Sequence, residues 1–312
     1  MKNTLVSTAT ILVLLAVPVF ARMADAKTKI AVSMAHFDDN FLTILRTAMS
    51  AEAAGKGDVD IQFEDAQGDI GKQLSQIQNF IAEKADAIIV NPVDTSATPK
   101  MTKLAVDGHT PLVYVNRKPI EATLPDRVSF VGSDEAKSGV LEGEELARLL
   151  NYKGNVAIIV GELATNAADL RTKDVVDVVA KYPGMKVVQK QTANFQRNEA
   201  IDLMNNWIVS GEKIDAVAAN NDEMALGALI AMKQAGISPQ KVLVGGIDAT
   251  PDALAEMDKG NLSVTVFQDA RGQGRGSVDT AIALAKGEKV ESIVWIPFQL
   301  VSKSNYKDFM GK

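Results

Sequence analysis

Asp39, Asn91, Asn116, Arg117, Arg171, Asn221, Asp248 and Gln268 are scattered between positions 39 and 268, and two aromatics, Phe41 and Phe195, fall among them. Brought together, these types can do one thing well. Ionised carboxylates accept hydrogen bonds from hydroxyls, a guanidinium donates in a fork to two oxygens, and amides do both. An aromatic face covers the C–H side of a ring. That is the kit for holding a polyol. A phosphate site would need a Gly-rich loop with a Lys, and carboxylates would repel its ligand. Asp and Asn are also favoured helix caps and turn formers, which explains some of these positions without any ligand. Capping does not explain Arg117, Arg171 or Gln268.

What would position them is a repeat. Apolar, β-branched runs begin near Ile30, Val59, Ala87 and Leu112, and a second series begins near Val156, Val187, Ala216 and Val242. Gaps of this length suit βαβ units, and short apolar strands suit a parallel sheet covered on both faces. Leu74, Ile77 and Ile81 predict one buried helix stripe, and Val175, Val178 and Val179 another. Two like series imply two doubly wound α/β domains. In such sheets ligands lie outside the carboxyl ends of the strands, which is where the polar positions fall. The stretch Ala35–Leu42 is the model case, a polar turn between a strand and the helix opened by Phe41 and Leu42.

The run Val128–Gly132 ends at Ser133-Asp134, a natural crossing between domains, and Ser263–Phe267 adds a strand to the second. A helix from about Ala270 to Lys286 and the run Ile293–Leu300 follow. The chain is expected to return to the first domain near Gln268 and leave it near Trp295. This divides it into a first lobe of residues 27–132 plus 269–295 and a second of 133–268 plus 296–312, joined by three crossings that form a hinge.

Ahead of them, Lys2, the apolar run Ile11–Phe20 and the small-x-small triplet Ala24-Asp25-Ala26 read as a signal peptide over residues 1–26. An exported, periplasmic protein beginning near Lys27 is expected. It contains no cysteine, which removes thiolate catalysis and Cys-ligated metals, and no metal or cofactor site is expected. A net charge of −6 argues against a nucleic-acid partner, which needs clustered Lys and Arg.

At these residues the chain resembles the periplasmic sugar-binding proteins of the ribose- and galactose-binding type. Phe37-Asp38-Asp39-Asn40-Phe41 is similar to the first binding loop of the galactose/glucose branch, and Asn91-Pro92-Val93-Asp94 to the family's Asn-Pro-x-Asp turn. Asn116-Arg117 resembles the ribose branch. Asn221–Ala228 and Gly246-Ile247-Asp248-Ala249 are the most family-specific stretches. The resemblance implies two lobes closing on a sugar, with Asp39, Phe41, Asn116, Arg117, Arg171, Phe195, Asn221, Asp248 and Gln268 as ligand residues and Asn91 as a further candidate. Thr165 and Ala167 stand where galactose-binding relatives carry His and Asp, and no Asp-x-Asp-x-Asn calcium loop follows the second domain's start. The mixture is most similar to the rhizopine- and inositol-binding branch, whose ligands are cyclitols, some with an amine. An ABC permease is the implied membrane partner, with a chemoreceptor as a further one. A galactose/glucose- or ribose-type binder that also serves chemotaxis is the alternative.

Other classes fit less well. A glycoside hydrolase would use Asp39 and Asp248 as an acid/base pair, but a binder of hydroxyls needs the same carboxylates. The chain has two histidines, His36 and His109, and no Gly-x-Ser-x-Gly elbow, so an enzyme is not expected. The sensing core of a LacI-type repressor would need a helix-turn-helix where the apolar leader stands. Gly272-Gln273-Gly274-Arg275-Gly276 lacks dinucleotide-binding spacing and reads as small residues that let a helix pack closely.

Overall fold

The first series of runs becomes β1 (Thr28–Met34), β2 (Val59–Asp65), β3 (Ala87–Val90), β4 (Leu112–Val115) and β5 (Val128–Gly132), with α1 (Asn40–Lys56), α2 (Ile70–Ala82) and α3 (Thr98–Asp107) between them. After α4 (Ser138–Leu149) come β6 (Lys153–Val160), α5 (Asn166–Ala180), β7 (Gly184–Thr192), α6 (Arg197–Ser210), β8 (Ala216–Ala219), α7 (Asp222–Gln234), β9 (Leu243–Gly245), α8 (Pro251–Asp258) and β10 (Val264–Phe267). The chain finishes with α9 (Ala270–Ala285), β11 (Ile293–Trp295) and β12 (Gln299–Ser302). The structure is a computed structural model and describes residues 27–312; the signal peptide expected over residues 1–26 lies outside them.

The two sheets have matching orders, β11-β5-β4-β3-β1-β2 and β12-β10-β9-β8-β6-β7. The inner strands β3, β4, β5 and β8 are buried at every residue, as a sheet covered on both faces requires. The edge strands differ. β2 alternates, and β7 starts at Gly184, ahead of the apolar run at Val187, because Gly184, Met185 and Lys186 extend the ladder against Lys153, Gly154 and Asn155 of β6. The run Ile293–Leu300 is two strands, β11 parallel to β5 in the first sheet and β12 antiparallel to β10 in the second. Pro297 lies between them, and its missing N–H cannot continue a ladder.

Crossings between sheets therefore follow β5, β10 and β11. They lie along one border of the molecule, since β5 with β11 and β10 with β12 sit at corresponding edges. Helix α9 returns to the first sheet and packs on α1, with Gly274 so close to Leu45 O that an added Cβ would stand 2.8 Å away. Close helix packing is thus what Gly274 provides, whereas Gly272 adjoins the Asp269 cap of its own helix and Gly276 adjoins Val131 of β5. The α5 stripe at Val175, Val178 and Val179 is buried as expected. The α2 stripe is rotated. Ile77 is fully buried, but Leu74 and Ile81 are only partly so, and Gln73, Gln76 and Phe80 take the inner face. The two amides are tolerated there because each is hydrogen-bonded, Gln73 to Asn91 O and Gln76 to Asp65 O.

Candidate functional site

The carboxyl ends of both sheets face one small cavity between the lobes. Asp39, Phe41, Asn116 and Arg117 line it from the first lobe, and Arg171, Phe195, Asn221, Asp248 and Gln268 from the second side and the crossings. Nine of the ten positions singled out in the sequence therefore meet. Asn91 does not reach the wall. It stands behind it, donating to Val115 O (3.2 Å) and Asn116 Oδ1 (3.3 Å) and accepting from Ala35 N (3.4 Å), so that it ties together the ends of β1, β3 and β4.

Capping and lining are not exclusive. Asp39 Oδ1 accepts from Leu42 N at 2.7 Å and starts α1, while the second oxygen is left over. Asn221 Oδ1 caps α7 by accepting from Met224 N at 3.0 Å. Its Nδ2 donates to Phe195 O at 3.4 Å, so Asn221 holds the helix start and the neighbouring strained loop together at the cavity wall. Asp94, by contrast, caps the short helical turn after β3, accepting from Ser96 N, and is absent from the wall.

Three wall residues sit in backbone conformations that L side chains seldom adopt: Asn116 (φ 65°), Phe195 (φ 60°) and Asp248 (φ 126°). Asn tolerates this region, but Phe and Asp at these angles are strained and must be held. Asp248 is fixed between Val266 O, which accepts from its N–H at 2.8 Å, and Gln268 N, which donates to its carbonyl at 3.2 Å. The Phe195 ring lies on Gly161, where a Cβ would stand 2.1 Å from it. Strained residues clustered around one cavity point to a site selected for geometry.

Two ion pairs organise the charge. Arg171 is bidentate to Glu135 (Nε–Oε2 2.8 Å, Nη2–Oε1 2.9 Å), and its remaining nitrogen donates to Asn220 O at 2.7 Å. It also donates to Gln268 Oε1 at 3.2 Å, which leaves Gln268 Nε2 without a protein partner among the described residues. Arg117 donates to Pro92 O (3.0 Å) and pairs with Glu162 (2.8 Å). Burial pushes the Asp39 carboxyl up, and pushes Asp248 well above the usual carboxylate range against the pull of Arg171. Counting Asp39, Glu135, Glu162 and Asp248 against Arg117 and Arg171 leaves two acids in excess when all are ionised.

The sequence reading passed over Glu135 and Glu162. Glu135 lies directly after the crossing at Ser133-Asp134, and Glu162 two residues past the end of β6, so the strand-end rule covered both positions. A buried arginine also demands a counter-charge, which was the signal available for Glu135. Among the described residues no group of His, Asp and Glu is placed to hold a metal ion.

Residues 30–289 match the family model described as periplasmic binding protein domain. The chain is 55% identical over 292 residues, covering 93% of it and 94% of the relative, to a "putative rhizopine-binding protein" of Rhizobium meliloti. It is 34% identical over 267 residues, 85% of this chain and 75% of the relative, to a xylitol-binding protein of Mycolicibacterium smegmatis. An ABC transporter solute-binding protein from Bacillus halodurans, solved with bound myo-inositol, superposes with a TM-score of 0.87 at 44% identity, covering 92% of this chain and 99% of that one. A Caulobacter myo-inositol binding protein bound to myo-inositol gives 0.86 at 29% identity over 91% and 97%.

Proposed function

The chain belongs to the periplasmic binding protein family, and from that premise we propose that it captures a cyclitol or monosaccharide, inositol or the amino-inositol rhizopine foremost, and delivers it to an ABC permease. The ligand lies between the lobes and is held by Asp39, Phe41, Asn116, Arg117, Arg171, Phe195, Asn221, Asp248 and Gln268, with Asn91 supporting Asn116 from behind. The first lobe comprises residues 27–132 and 269–295, the second 133–268 and 296–312, and sheet membership supports that division. Ligand selects the closed arrangement by contacting both lobes at once. The reading is capture without chemistry. The leader over 1–26 is removed near Ala26 and the mature protein works in the periplasm, where a chemoreceptor is a further partner for the closed form.

One observation carries the choice of ligand. Arg171 and Arg117 are matched by Glu135 and Glu162, so Asp39 and Asp248 face the cavity without an ion-pair partner among the described residues. Ring hydroxyls satisfy such carboxylates as acceptors, and an ammonium group on the ring would satisfy their charge as well. Because burial holds both acids above their ordinary range, a cationic ligand would draw them down and release protons, whereas a neutral inositol would release fewer.

Calorimetry of the mature chain with myo-inositol, an amino-inositol, ribose and galactose, repeated in buffers of different ionisation enthalpy, tests this. Cyclitols are expected to bind at micromolar Kd or tighter, about −8 kcal/mol, with proton release larger for the amine. Tighter binding of ribose or galactose than of either cyclitol would overturn the assignment, and turnover of a glycoside or cyclitol would overturn capture without chemistry.

A further inference from the structure

Glu162 belongs to the second lobe, at the carboxyl end of β6, yet both of its carboxylate oxygens are engaged by the first lobe. Oε2 lies 2.8 Å from Arg117 Nη2, and Oε1 lies 3.0 Å from His36 Nε2. The side chain of Glu162 is 18% exposed, that of Arg117 6% and that of His36 22%, so the cluster is largely withdrawn from water. In that setting a charge-assisted contact is worth much more than at an exposed surface. Each partner is held on its own lobe. Arg117 Nη1 donates to Pro92 O and Val93 O, and the imidazole of His36 rests on Gly68, where an added Cβ would stand 2.9 Å from its Cε1.

The location matters as much as the contacts. The three crossings run beside β5, β11, β10 and β12, whereas β1 and β6 lie toward the opposite edges of their sheets. A contact between His36 after β1 and Glu162 after β6 is therefore far from the hinge, where a given rotation separates the lobes most. Three neutral bonds share this seam, Thr95 N and Oγ1 donating to Ala164 O at 3.1 and 3.3 Å and Asn166 Nδ2 donating to Lys118 O at 3.1 Å, and Asn40 Nδ2 crosses to Glu223 Oε1 at 3.1 Å.

We propose that Glu162 is the closure latch of this protein, a positioning residue that pins the lobes shut through Arg117 and His36 and so sets the rate at which bound ligand escapes. It rests on the reading that a polyol is held between the lobes. Arg117 faces both the cavity and the latch, so Glu162 also fixes the guanidinium from behind at the angle that a ligand oxygen meets. Ligand contacts and latch contacts then form together, and both must break before release.

The latch is sensitive to pH. The groups facing His36 are Glu162 and Asp39, which favour its charged form, and Arg117, which opposes it together with burial. The hydrogen bond that His36 Nε2 donates to Glu162 dominates and raises the imidazole above its ordinary value of 6.5. Opening the lobes removes that partner and lets the value fall back. A group whose value is higher in the closed form strengthens closure below its ordinary pKa, and that contribution is lost as pH rises through the closed-form value.

Stopped-flow release of myo-inositol from the mature chain, followed by tryptophan fluorescence, tests the proposal. Wild-type release is expected to quicken from about pH 6 to pH 8. Glu162→Gln should release about tenfold faster at the lower pH, with association little changed and the pH trend abolished. His36→Gln should release about threefold faster at the lower pH and match wild type at the higher one. Wild-type release rates in both variants at every pH would overturn the latch. If myo-inositol does not bind the wild-type chain, the ligand reading alone fails. Small-angle scattering of the unliganded chain then decides the latch: Glu162→Gln is expected to be more extended than wild type near pH 6, and equal radii of gyration would overturn it.

Discussion

Beneath the cavity on the first sheet runs a chain of neutral groups. Ser33 Oγ donates to Gln76 Oε1 (2.6 Å), Gln73 Nε2 donates to Ser33 Oγ (3.1 Å) and Asn91 O (3.0 Å), and Gln73 Oε1 accepts from Val93 N (2.8 Å). The corresponding place on the second sheet is built from acids. Asp222 accepts from Thr265 Oγ1 and Thr250 N, both at 2.7 Å, and Glu142 accepts from Ala219 N at 3.1 Å, its other oxygen having no partner among the described residues. Burial pushes Asp222 up to about 7 and Glu142 well above its ordinary range. Two lobes with one winding thus hold their loops by different means. Amides give the first lobe a scaffold indifferent to pH, and carboxyls give the second a charge that depends on it.

The largest effect should come from the centre of the acidic side. Arg171→Ala leaves Glu135 buried without its cation, which costs about 3–5 kcal/mol of stability. It should also weaken myo-inositol binding by more than about a hundredfold, as read by urea melts and calorimetry. Asp248→Ala removes a cavity carboxylate without orphaning a partner of that kind, so it should weaken binding well over about tenfold with the fold intact. Unchanged affinity in both variants would remove these positions from the site.

On the neutral side, Gln73→Leu strands Val93 N and should destabilise the chain by about 1–3 kcal/mol. Because no charge is involved, the same loss is expected at about pH 5 and pH 8. A pH-dependent loss would break the comparison. The wild-type chain should itself lose stability over that interval. Asp222 is raised in the folded state from 3.8 to about 7, so the folded form binds its proton more tightly than the unfolded one. Its contribution is therefore full at low pH and lost as pH rises through about 7. Asp222→Asn should flatten the thermal-melt profile across this window, and an unaltered slope would show that the acids are inert. The smallest effect is expected from Phe41→Leu, which keeps the apolar cover but loses the aromatic face, worth about 0.5–1.5 kcal/mol in binding.

The winding was legible because buried parallel strands are short, apolar and evenly spaced, and Ala87–Val90 and Ala216–Ala219 begin where the runs begin. The site was legible in part for the same reason, since Asp39, Asn221 and Asp248 stand just past strand ends. What the sequence hid were pairings. Nothing local to Glu135 announces that it meets Arg171, 36 positions later, and nothing near Glu162 announces Arg117. Gln73 and Gln76 were hidden by the opposite error, because a hydrophobic stripe places polar residues outside even when their bonds lie inside. Asn91 shows the limit of the strand-end rule, which finds the layer around a cavity without separating its wall from the support behind.

Each sheet receives its outermost strand at one edge from the last 20 residues, positions 293 to 312: β11 closes the first and β12 the second. A chain emerging amino end first therefore carries two unfinished lobes until synthesis is nearly over, and neither can be excised as one continuous piece. The arrangement also means that trimming the carboxyl end beyond Ile293 should damage both halves of the molecule, though it removes only a small fraction of the chain.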